Sequence, residues 1–137
     1  MSEDSIEQMS GSEAEALLRE VATWGKTTTV ILHGGCVFEF KGTFPAGNLG
    51  MGYYNLDGAT SGGFEGHIKL DAIATVGFQD KPHRGRNSYA FTFDNTDGQN
   101  LFKVFLGRDE QGEIFPEQIE KFNTIRARQS VACKGEQ

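Results

Sequence analysis

Cysteine is scarce in this chain: only Cys36 and Cys133 occur, far apart and with no C-x-x-C pair, so a structural zinc site has no support. Cys36 lies in an apolar alternating segment and reads as a buried free thiol. Proline is also rare, with 3 residues against 18 Gly and 11 Phe, a balance that points to strands joined by tight turns. Positive charge is in deficit, 13 Lys and Arg against 19 Asp and Glu, for a net charge of −6. Phosphate binding needs clustered cations, so nucleic acid and anionic membranes are disfavoured as partners. No apolar run approaches the ~20 residues of a membrane span, and residues 1–11 are too acidic and polar for a signal peptide. The expectation is a reduced, cytoplasmic protein with no membrane insertion. The catalytic patterns G-x-S-x-G and H-E-x-x-H are missing, as is a phosphate loop ending in Lys-Ser or Lys-Thr. A three-histidine metal site would consume every histidine in the chain, including His33 beside Gly34 and Gly35, which reads as an exposed turn residue.

What is present is a β pattern of one-domain length. Residues 88–94 (S-Y-A-F-T-F-D) alternate strictly, with Tyr89, Phe91 and Phe93 on one face. The run Asn95-Thr96-Asp97-Gly98 has hairpin-turn chemistry, and residues 101–106 return as a second strand. Ahead of this hairpin a loop over residues 80–87 carries His83, Arg84 and Arg86. Residues 27–32 and 36–41 form another hairpin around His33. Residues 42–63 read as a glycine-rich loop able to approach a flat ligand closely. Within it Tyr53 and Tyr54 are adjacent, so in an extended segment one points in and the other out. Residues 64–70 and 73–78 are further strands, and His67 stands on the polar face of the first, a surface position on local grounds. A helix begins at Ser12, with Glu15 at capping-box spacing, and a second begins at Pro116 with Ile119, Phe122 and Ile125 as its buried stripe. Arg108, Asp109 and Glu110 read as a salt-bridge cluster at a hairpin end. The expected organisation is a disordered tail over residues 1–11, one domain over 12–126 and a tail over 127–137. The fold class is α+β, with N- and C-terminal helices on a curved, mostly antiparallel sheet of about six strands.

Several segments together resemble a known family. Gly52-Tyr53-Tyr54-Asn55-Leu56, Lys81-Pro82-x-x-Gly85-Arg86, Gly66-His67-Ile68 and residues 102–110 (F-K-V-F-L-G-R-D-E) leading into Pro116-Glu117-Gln118-Ile119 are similar to the heme-utilisation carriers of the HutX and ChuX type. The similarity extends over residues 14–126 and also to each half of the two-repeat HemS and ChuS type proteins. The resemblance implies an intracellular heme carrier or chaperone in iron utilisation, non-enzymatic, with heme b as ligand. It would work as a homodimer that exchanges heme with a donor or acceptor protein. Members often read His-Gly-Tyr or His-Gly-Phe before Asn-Leu, where this chain has Met51, and His-Gly-His where it has Glu65-Gly66-His67. The iron-ligand candidates, in order, are His83, His67, Tyr54 or Tyr53, and Met51, while Arg84 and Arg86 suit the propionates. Two alternatives stand beside this reading. One is a heme-degrading or heme-reducing enzyme on the same fold, and the other a divergent member binding another flat apolar ligand.

Overall fold

The computed structural model describes residues 8–83 and 85–135; within these, the side chains of His83, Arg86 and residues 130–135 lie outside the description. The described elements follow the order β1 (Gln8–Ser10), α1 (Ala14–Val21), β2 (Lys26–His33), β3 (Cys36–Thr43), β4 (Gly47–Gly50), β5 (Tyr53–Leu56), β6 (Gly66–Ile68), β7 (Thr75–His83), β8 (Arg86–Asp94), β9 (Asn100–Leu106) and α2 (Pro116–Gly135). All pairings between these strands are antiparallel. They form a six-stranded sheet in the order β1-β7-β8-β9-β2-β3 and a three-stranded sheet in the order β4-β5-β6. The α+β class is as the sequence implies.

The alternation along β8 is realised as written. Phe91 and Phe93 are fully buried, and Phe93 stacks on its cross-strand partner Phe102 with ring centroids 4.3 Å apart. Phe122 of α2 packs on the same face, 5.0 Å from Phe91, 5.4 Å from Tyr89 and 5.5 Å from Phe78. Burying such a ring contributes about 1.5–3 kcal/mol, so this aromatic cluster is the main clamp between helix and sheet. α1 buries Ala14, Leu17, Leu18 and Val21 in the same core. The start of α2 is fastened by a polar lock. Buried Gln118 accepts from Gly107 N–H at 2.8 Å and donates to the carbonyls of Trp24 and Lys26 at 3.1 and 2.8 Å. A Cβ on Gly107 would run into the Lys26 carbonyl, so only glycine permits this approach.

The three-stranded sheet docks through Tyr54 and Leu56, which join the common core. Arg19 of α1 donates to the Gly47 carbonyl at 3.1 Å and lies over the Tyr54 ring, 5.2 Å from its centroid.

Several expectations need correction. The glycine-rich segment is not one loop, because it contains the β4–β5 hairpin. The expected polar loop over residues 80–87 is instead strand on both sides, β7 running to His83 and β8 starting at Arg86. Among the described residues β1 pairs with β7 only at residues 75–77, so Pro82 stands beyond that pairing, a position compatible with proline. Residues 8–10 form a strand where a disordered tail is expected, while residues 1–7 lie outside the described ones. Ser10, rather than Ser12, caps the first turn by accepting from Ser12 N–H, and α2 runs on to Gly135. Cys36 is exposed, since it sits at the β2–β3 tip beyond the reach of the core. Arg108 makes no cluster with its acidic neighbours; it donates to the carbonyls of Gly112 and Asn87, and Asp109 instead accepts from the N–H groups of Gln111 and Glu113. Among the described residues no helix is long and apolar enough to cross a membrane.

Candidate functional site

β4 and β5 are joined by Met51-Gly52, both with positive φ (56° and 83°), the backbone of a primed two-residue hairpin turn. Glycine accepts this at no cost, but methionine is strained there by about 1 kcal/mol or more. Its side chain is 96% exposed at the tip.

Below the tip, strand alternation sorts the two tyrosines. Tyr54 faces the core, fully buried, while Tyr53 faces outward at 41% exposure. Gly47 lies so close to the Tyr54 ring that a Cβ there would overlap it. Burial pushes the Tyr54 phenol up, the nearby Arg19 pulls it down and Glu15 adds to the rise. A tyrosinate is therefore disfavoured at Tyr54, and its hydroxyl, which finds no partner, is enclosed by its own sheet and α1.

The outward face of this sheet holds Tyr53, Asn55 and His67. Register pairs Asn55 directly with His67. The His67 Nδ1 and Asn55 Oδ1 are hydrogen-bonded at 2.7 Å, and the Tyr53 ring meets the imidazole edge-on with centroids 6.0 Å apart. Asn55 also donates through Nδ2 to the Gly50 carbonyl at 3.1 Å and to the Asn48 carbonyl at 3.3 Å. His67 itself is exposed. Three of the candidates, Met51, Tyr53 and His67, thus belong to one small sheet, and Tyr54 lies on its opposite face.

His83 ends β7 and Arg86 begins β8 in the larger sheet, and the two are paired. Arg84 lies outside the described residues, as do the side chains of the other two. An open cleft of about 520 Å³ on the six-stranded sheet is lined by Lys26, Lys41, Phe105 and Arg108 together with Glu39 and Glu110. None of Met51, Tyr53, Tyr54 and His67 lines it, and its mixed charges favour no ligand of one sign. Among the described residues no group of three or more His, Cys, Asp or Glu is gathered to hold a bare metal ion.

The sequence reading did not single out Asn55, the hydrogen-bond partner of His67. It stands in the Tyr54-Asn55-Leu56 run, but only the strand register shows that it faces His67.

The family model described as Haem utilisation ChuX/HutX matches residues 7–125. The chain belongs to that family. A ChuX/HutX relative, the intracellular heme transport protein HutX of Vibrio cholerae serotype O1, is 40% identical over 124 residues, covering 90% of this chain and 64% of the relative. This chain therefore spans a little under two-thirds of that relative's length. The crystal structure of ChuX superposes with a TM-score of 0.84 at 29% identity, covering 90% of this chain and 76% of ChuX. The heme degrading enzyme ChuS of Escherichia coli O157:H7 shares the fold alone, with a TM-score of 0.71 at 18% identity over 85% of this chain and 34% of ChuS.

Proposed function

We propose that this ChuX/HutX chain binds heme b in the cytoplasm and passes it on as a carrier. The observation that carries the reading is an exposed imidazole, His67, standing beside the half-exposed ring of Tyr53 on an open sheet face. Porphyrin supplies four nitrogens to its own iron, so the protein need add only one or two axial donors. His67 fits as the iron ligand and Tyr53 as apolar support for the macrocycle. Met51 is the candidate for a second axial donor. His83, Arg84 and Arg86, close in sequence, are an alternative set, suited to propionates through the guanidinium forks. The naming of the Vibrio relative as a heme transport protein supports the same reading.

Titration of the purified protein with hemin tests it. The expected result is a saturating, shifted Soret band, altered in His67→Ala with faster heme loss, and unchanged in His33→Ala. An altered band in His83→Ala but not in His67→Ala would move the ligand to His83. No saturable band would overturn the function.

A homodimer is part of this reading. At the β2–β3 tip Ile31 and Phe38 lie opposite each other on one face, and Leu32 and Val37 on the other, all 39–59% exposed. β3 is also a free sheet edge, a template for a second copy. Sedimentation at micromolar concentration should give twice the chain mass, and Phe38→Glu should return it to one.

A further inference from the structure

We infer that Asn55 is a positioning residue that fixes the tautomer of His67, placing the proton on Nδ1 and leaving the Nε2 lone pair free for iron. The inference rests on the proposed role of His67 and concerns what prepares it. Two groups beside Asn55 cannot change roles. The carbonyls of Gly50 and Asn48 only accept, and both face the same end of the Asn55 amide, at 3.1 and 3.3 Å. That end must be the NH2, so the oxygen is the end facing His67. An amide oxygen only accepts in its turn, so Nδ1 of His67, 2.7 Å away, must carry the hydrogen.

In neutral imidazole one nitrogen donates and the other is a lone pair; a proton held on Nδ1 frees Nε2. Iron-binding histidines commonly donate their second N–H to a fixed acceptor, which sets ring orientation and raises ligand basicity. Here the acceptor is anchored across the hairpin. Asn55 is cross-linked to β4 at Gly50 and Asn48, so the tip that carries Met51 and the strand that carries His67 are tied through one amide.

The tautomer is measured first in the heme-free wild-type protein, by long-range proton–nitrogen NMR of the His67 ring at a pH where imidazole is neutral. The expected spectrum has a protonated Nδ1 and an unprotonated Nε2. A protonated Nε2 would overturn the inference, whatever hemin does. Asn55→Ala should release the ring to a mixture of tautomers and raise the hemin dissociation rate about 10- to 100-fold. Asn55→Asp keeps an acceptor oxygen for Nδ1 but loses both donors to β4, and should keep the wild-type tautomer with dissociation within a few-fold of wild type. If Asn55→Asp loses hemin as fast as Asn55→Ala, the residue braces the hairpin and does not orient the ligand. The heme reading fails separately: a wild-type tautomer as expected, with His67→Ala binding hemin unchanged, would overturn His67 as ligand and leave the tautomer assignment standing.

Discussion

On β8 the inward residues Tyr89, Phe91 and Phe93 meet Phe78, Phe102 and Phe122, whereas on β5 the inward residues are only Tyr54 and Leu56. Both strands obey the same period of two. The larger sheet sends these rings into the core, and its exposed polar side chains, Lys26, Glu39 and Lys41 among them, are of mixed charge. The smaller sheet buries Tyr54 and Leu56 and leaves its outward face to Tyr53, Asn55 and His67. The main aromatic cluster and the Tyr53–Asn55–His67 group are thus on different sheets. A ligand site on a small sheet outside the main aromatic cluster can change its contacts without loosening that cluster.

Substitutions on the two sheets should therefore separate. Phe122→Ala removes a fully buried ring from the centre of the larger cluster and should cost about 3–5 kcal/mol in urea unfolding. Hemin affinity of the protein that remains folded should be unaltered; a parallel loss of binding would erase the division. Gln118→Ala leaves the Gly107 N–H and the Trp24 and Lys26 carbonyls without their buried partner, a loss of roughly 2–3 kcal/mol, read by the same denaturation. The smallest effect is of opposite sign. Met51→Asn places a residue tolerant of positive φ in the β4–β5 turn and should raise the melting midpoint by the equivalent of about 0.5–1 kcal/mol. Should heme bind through the Met51 sulfur, the same change would alter the Soret band, and the contrast between gained stability and lost ligation would sharpen the case.

Legibility in the sequence followed the same division. The alternation of residues 88–94 and the Ile119, Phe122 and Ile125 stripe were readable because dense burial enforces strict periodicity. The β4–β5 hairpin was not. Its turn uses Met51 where Asn or Gly would announce it, and its glycines at positions 47 and 50 look like loop. Pro82 hid the far end of β7 for a similar local reason. The outward direction of Tyr53 against Tyr54 was foreseeable only as a choice between two. The partnership of Asn55 with His67 depends on register between residues twelve positions apart, which no local pattern encodes.

The position of β2 between β3 and β9 has a consequence for the newly made chain. β9 begins at Asn100, about 70 residues after β2 ends at His33. At a synthesis rate of ~5–20 residues per second, the β2–β3 hairpin waits roughly 3–13 s for the strand that completes its sheet. During that wait one edge of β2 is unpaired, and the apolar side chains of the hairpin tip have no neighbour. Gln118, which ties the start of β2 to the last helix, emerges later still. Folding of this chain on the ribosome is therefore held open until near its C-terminal end, and the early hairpin is the segment for which a chaperone would have the longest opportunity.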